Sequence, residues 1–256
     1  MKPFDEIARS LHDFLKLAQP PVGVAFRDTV PDAVEAYRGS VPGGCSFWQE
    51  ATQRVFATVP GDHELCAVGV YTHNLEASQR VQTDLQDALK AFGDLRYVRA
   101  EDLPLIPALN RLAKVVVYGP LSSLPVPPDV VLLFAKADQT LILSEAAQQI
   151  ENGFPIAMGR PACAVIPQAF NSGRAAMSLG CCGARAYLDA LTPEVALFAV
   201  PEEKIEAFTE RVVALAQANE TLSAFHSLRR RAIESGARPS IQDSLQAIGY
   251  SVCTKI

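Results

Sequence analysis

The stretch KVVVYGPLSSLPVPPDVVLLF, residues 114–134, decides the fold. Its two runs, Lys114 to Tyr118 and Val130 to Phe134, are short and rich in valine, and both read as buried strands. Gly119-Pro120 closes the first. The Pro-rich piece Leu121 to Pro128 reads as a hinge or domain boundary. Working outward, Val22 to Phe26, Ala67 to Tyr71, Thr140 to Leu143 and Val195 to Val200 read as further strands. Helical spacing puts Ile7, Leu11, Phe14 and Leu15 on one face of a segment from Pro3 to Ala18, which Pro20-Pro21 ends. Further helices are expected at Phe47 to Phe56, along the stripe Leu75, Val81, Leu85, Leu89 and Phe92, and at Ser144 to Glu151. Ile205, Phe208, Val212 and Leu215 mark another, followed by a separate one from Leu222 to Ile233. Ser240 N-caps a last short helix ended by Gly249. Residues 27–44 and 100–112 read as irregular. The fold class is α/β (or α+β), a mixed sheet with flanking helices.

The two halves of the chain rhyme. PPVGVAF (20–26) resembles PPDVVLLF (127–134), and GGCSFWQEA (43–51) resembles RPACAVIPQA (160–169). CAVGVYT with the helix after it resembles VALFAVP with its own. We therefore expect one domain over 1–256, with internal halves 1–121 and 127–217 and C-terminal helices over 218–256.

The 256 residues are 49% apolar and 20% charged, with 15 Gly and 18 Pro, which excludes disordered and collagen-like chains. Lys plus Arg (23) against Asp plus Glu (28) gives a net charge of −5, which argues against a general nucleic-acid binder. No apolar run approaches the roughly 20 residues of a membrane span. MKPFDEIARSLHDFLKLAQ lacks the apolar core of a signal peptide, so the chain reads as cytoplasmic. In that compartment the six cysteines are candidates for metal binding, catalysis or burial rather than for disulfides.

Cysteines stand at 45, 66, 163, 181, 182 and 253. Cys45, Cys66, Cys163 and Cys181 lie in segments dense in Gly, Pro and polar residues, where backbone amides can reach a charged sulfur. Four thiolates suit tetrahedral zinc or a [4Fe-4S] cluster. No CxxC occurs, so spacing alone leaves burial, metal binding and a catalytic thiol all open. Phosphate-loop, nucleophile-elbow, HExxH and dinucleotide motifs are absent from the sequence.

Taken in order, CSFWQEA (45–51), DHELCAVGVYT (62–72), VVVYGPL (115–121), PDVVLLF (128–134), CAVIPQAF (163–170) and LGCCGAR (179–185) resemble the domain of unknown function 169, or ArCR, family of archaea and bacteria. The resemblance runs from about Leu15 to Phe208. It implies that Cys45, Cys66, Cys163 and Cys181 are the cysteines that matter, with Gly183 and Arg185 completing the last motif. It favours a metal or cluster and supplies no reaction. Cys182 and Cys253 read as bystanders, although Cys182 could replace a ligand. Each half offers one Cys before a helix and another about twenty residues later. Equivalent loops facing across a pseudo-twofold axis would thus bring two plus two thiolates together, shielded from water. Each ligand comes from a separate part of a large core that needs no staple, so a cluster is favoured over zinc.

His63, beside Asp62, is a candidate proton relay or donor to a cluster sulfur, tuned by that carboxylate, and Arg185 a candidate charge partner. Arg160, three residues before Cys163, shares that role, and either arginine is a candidate to neutralise a negative cluster or to bind a substrate carboxylate, beside the plainer reading of a structural ion pair. Trp48 could wall the site against solvent but reads first as a core residue; His73 and Asn74 could line the same cavity, with Asn74 read first as a helix N-cap; Arg229 to Arg231 read as a solvated helix face, and His12 and His226 as surface residues. The expected function is a cytosolic iron–sulfur protein carrying [4Fe-4S], passing electrons or reducing a small molecule. Its partners would be a redox protein or a small-molecule substrate, with self-association left open. The alternatives are a structural zinc protein and a metal-free protein that binds a small molecule or partner.

Overall fold

The computed structural model describes residues 2–250, so Cys253 lies outside the described residues. Seven strands form one sheet in the order β2-β3-β1-β4-β7-β6-β5. They are β1 (Val22–Arg27), β2 (Phe56–Thr58), β3 (Val115–Pro120), β4 (Val130–Lys136), β5 (Ile156–Met158), β6 (Ala176–Ser178) and β7 (Val195–Pro201). Every neighbouring pair is antiparallel except β5 with β6, which makes the sheet mixed.

Both faces of the central strands are covered, which is why those strands read as continuous apolar runs. Val22, Val24 and Phe26, with Val116, Tyr118, Val130, Leu132 and Phe134, enter one core. The alternate residues Val131, Leu133 and Ala135, with Phe198 and Val200, enter another. Burying such side chains contributes roughly 1.5–3 kcal/mol each, so a one-residue slip in register would exchange two filled cores. The second core is closed by α1 (Phe4–Leu15), α5 (Ala137–Glu151) and α7 (Ile205–Glu234). The first lies under α2 (Ser46–Glu50), α3 (Ala67–Thr72) and α6 (Val165–Ser172), with α4 (Gln79–Asp94) outside them. A short α8 (Ile241–Gln246) follows α7.

Read outward from the central β1–β4 pair, the two halves of the sheet match: β3 then β2 on one side, β7 then β6 on the other. The segment 121–128 connects two strands that both pair with β1, and it lies close on the sheet. A Cβ on Gly23 would stand 2.6 Å from Leu124 Cδ2, so only glycine admits that side chain.

Several expectations are corrected. CAVGVYT is not a strand but α3, and the strand equivalent to VALFAVP is KVVVYGP. Thr140 to Leu143 lies inside α5, where Leu143 is buried and Leu141 faces outward. The helix expected over Phe47 to Phe56 stops at Glu50, and Phe56 begins β2. Ile205 to Ile233 is one continuous helix rather than two. Ser78, not Asn74, N-caps α4, accepting from the Val81 N–H, while the Asn74 amide donates to Leu109 O at 3.1 Å. Arg229 is no free surface charge: it donates to Pro239 O, Ser240 O and Ser244 Oγ and holds α8 against α7. Ser240 caps α8 as expected, with Asp243 returning to its N–H. Among the described residues no helix is long and apolar enough to cross a membrane.

Candidate functional site

The matching halves of the sheet deliver the cysteines in matching places. Cys45 directly precedes α2 and Cys163 lies in the helical turn that leads into α6. Cys66 opens α3 after β2, and Cys181 precedes the helical turn Gly183–Tyr187 after β6. All four line one cavity of about 420 Å³. Cys45 and Cys163 are buried at its inner end, while Cys66 and Cys181 are half-buried. Cys182 also lines the cavity, on its exposed side. The walls are apolar, drawn largely from α4 (Ala88, Leu89, Phe92) and from Leu103, Ile106 and Leu188.

The sulfurs sense one another. Burial pushes the Cys45 thiol well above its ordinary value, and the neighbouring Cys163, Cys66 and Cys181 push it further. Burial likewise raises Cys163, with Cys66 and Cys181 adding to the effect. Thr72 opposes it: its Oγ1 lies 3.3 Å from Cys163 Sγ and 3.2 Å from Gly69 O, so a thiolate at 163 would draw the hydroxyl proton. Several thiolates in an apolar pocket need a cation between them. Among the described residues no group of three or more His, Cys, Asp and Glu side chains is gathered to hold a single metal ion. The sulfurs stand around a cavity instead.

Behind the cysteines lies a polar, aromatic cluster. Thr58 Oγ1 donates to Val116 O at 3.2 Å and accepts from His63 Nε2–H at 2.9 Å. This leaves His63 Nδ1 as a bare lone pair. His73 Nδ1–H donates to Gly69 O at 3.0 Å, which leaves its Nε2 bare. Burial pushes His63 down to about 3, helped by His73, and His73 down to about 4, so both rings are neutral at pH 7. The two rings lie 6.1 Å apart, and Phe47 joins His63 (4.8 Å) to Tyr118 (5.6 Å). Among the described residues, the buried side-chain atoms lacking a hydrogen-bond partner are Trp48 Nε1, His63 Nδ1, His73 Nε2 and Tyr118 Oη. Buried polar atoms are rarely left unpaired. Trp48 and Tyr118 share a core with Cys45 and Cys163, and the Tyr118 phenol is raised by burial and then by Cys163, Cys45 and Cys66.

The backbone makes room for the sulfur. A Cβ on Gly69 would stand 2.9 Å from Cys66 Sγ, and one on Gly44 would meet His63 Nδ1 at 3.7 Å and Cys66 Sγ at 3.8 Å. A soft four-thiol donor set, unpaired polar atoms behind it and glycine beside one sulfur fit a cluster bound through cysteine.

Two sequence candidates change meaning. Asp62 does not tune His63; its carboxylate accepts from the Val59 N–H at 2.8 Å. Arg185 does not line the cavity. Its guanidinium donates to Leu179 O, Leu191 O, Thr192 O and Val195 O, pinning the loop that carries Cys181. Thr58, Thr72 and Tyr118 escaped the sequence reading, as did the α4 wall. The two threonines sit within or beside quoted motifs, but nothing local marks them as partners of His63 and Cys163.

Fold and site together define an antiparallel-rich α/β protein with an apolar cavity ending in four cysteines. The chain belongs to the DUF169 family, described as uncharacterised ArCR, whose model matches residues 10–211 and so spans all five described cysteines. No curated protein and no solved structure matches it.

Proposed function

We propose that this is a cytoplasmic iron–sulfur protein in which Cys45, Cys66, Cys163 and Cys181 hold a [4Fe-4S] cluster at the inner end of the cavity. One observation carries the reading: topologically matching segments of the two halves turn four cysteines into one cavity, backed by buried, unpartnered polar atoms. A cluster offers each thiolate its own iron and suits sulfurs spread around a space. One zinc would draw four sulfurs to within about 3.8 Å of each other, given Zn–S bonds of roughly 2.3 Å.

Bound there, the cluster would supply one-electron redox chemistry, used in electron transfer or in reducing a small molecule. The chain's own residues set the conditions. The Thr72 hydroxyl stands ready to donate to Cys163 Sγ, and the Ala184 N–H points at Cys181 Sγ from 3.5 Å. Such hydrogen bonds stabilise sulfur-centred negative charge and raise a reduction potential. The neutral imidazoles add no charge, and the packing of Phe47, Trp48 and Tyr118 keeps water from the inner end.

Single Cys→Ser changes test the ligand set. Loss of the chromophore is expected at 45, 66, 163 and 181, with Cys182→Ser retaining it. Full iron and sulfide in all four variants would refute the assignment.

A further inference from the structure

Among the described residues, one cation and one carboxylate line the cavity. The carboxylate, Asp84, is exposed and lies 3.7 Å from Arg80 on the same helix. The cation, Arg160, stands three residues before Cys163 on the exposed side of the cavity. Its guanidinium carbon lies 3.7 Å from the Tyr97 ring centroid, and Nη1 donates to Tyr97 O at 3.1 Å. The Tyr97 phenol is in turn raised first by a hydrogen bond with Cys182, then by burial. No carboxylate pairs with Arg160 among the described residues. The ring shelf thus fixes the guanidinium and leaves most of its five donors free to meet a ligand.

We infer that the cavity binds a small, mainly apolar carboxylic acid, its carboxylate on Arg160 and its body between α4 and Leu188, reaching toward the cysteines. This deepens the iron–sulfur reading and rests on it for the reactive end. A volume of about 420 Å³ lies within the roughly 300–1,000 Å³ of small-molecule sites. The apolar walls select the body, and the planar fork of one arginine matches one carboxylate. A doubly charged phosphate monoester would bring a second charge toward sulfur-rich, electronegative surroundings in which no further cation lines the cavity among the described residues. The monoanion is favoured on that ground.

Calorimetric titration of the iron-loaded protein with phenylbutyrate and phenylbutanol tests this. The acid should bind at least roughly tenfold more tightly than the alcohol, the scale of one charge-assisted bidentate pair. Arg160→Met should bring the two within about twofold, Arg160→Lys should keep part of the preference, and Arg9→Met on α1 should change nothing. Ala88→Trp, which fills the cavity from α4, should abolish binding of both. Equal binding of acid and alcohol, a preference surviving Arg160→Met, or binding that survives Ala88→Trp would overturn the inference. So would the absence of any binding. Iron and sulfide are assayed on the same samples. Loaded protein without acid preference sinks this inference alone, and acid preference in protein that takes up no iron sinks the cluster reading alone.

Discussion

Gly69 lies within α3, three residues beyond Cys66, where an added Cβ would stand 2.9 Å from Cys66 Sγ and 3.5 Å from Cys66 Cβ. Comfortable heavy-atom contacts begin near ~3.5 Å, so in Gly69→Ala the sulfur must retreat by roughly 0.6 Å or more. A cysteine sulfur can do this by turning about χ1, at a cost of about 0.5–1.5 kcal/mol if it leaves its rotamer well. Alanine in a helix returns up to about 1 kcal/mol relative to glycine. The two nearly cancel. Stability of the metal-free protein should change by less than about 1 kcal/mol, or no more than about 4 °C in Tm for a chain of this size. Metal sites, however, hold ligand distances to about ±0.2 Å, and the displacement exceeds that severalfold. Loading should therefore fail while folding survives. The assay is thermal unfolding of the metal-free protein beside iron and sulfide per chain after anaerobic reconstitution. A Gly69→Ala protein with wild-type iron, sulfide and spectrum would show that Cys66 is not held in place as a ligand.

Thr58→Val removes the partner of His63 Nε2–H and of Val116 O in a fully buried site, and should cost about 1–3 kcal/mol in urea unfolding. Thr58→Ser should recover most of it. Stability of the metal-free protein should also fall with acid. The buried rings of His63 and His73 titrate near 3 and 4, below the unfolded value of about 6.5, so below that pH the unfolded chain binds protons the native state refuses. Each ring adds a slope of roughly 1.4 kcal/mol per pH unit, ending as the native rings protonate near 4 and 3. His63→Phe should remove one such slope between about pH 4 and 6; parallel curves would refute the buried, neutral assignment. Arg185→Met strips four carbonyls of a shared donor and should cost about 2–3 kcal/mol. Amide exchange should rise over residues 179–195, and unchanged protection there would count against the pinning role.

The central strands are legible because burial on both faces leaves no polar positions: Val22 to Phe26, Val115 to Tyr118, Val130 to Phe134 and Val195 to Val200 all show it, whereas Lys114, expected in the strand, is exposed just outside β3, and Gly119-Pro120 lie within it. The same logic misread Ala67 to Tyr71. The six residues of α3 are too few to display a helical period, and what makes it a helix is its tertiary setting against the core, with Gly69, Val70 and Thr72 inward. Thr140 to Leu143 failed likewise, as three turns of α5 around it carry small and polar residues. Strands β5 and β6, three residues each, have no local signal. At the site, spacing left the cysteines open between burial, metal and catalysis, and only the ordered motifs singled out four of them. The cavity was invisible because its α4 wall meets the cysteines through tertiary packing. Arg185 and Asp62 looked reactive beside their motifs, yet both serve the backbone.

The most direct test is chemical analysis of protein purified without oxygen: absorbance near ~400 nm with iron, sulfide and zinc per chain. The expected result is a brown protein holding about four iron and four sulfide, bleached by oxidation or chelation. A colourless protein that holds about one zinc, or that takes up neither iron nor sulfide on anaerobic reconstitution, would contradict it.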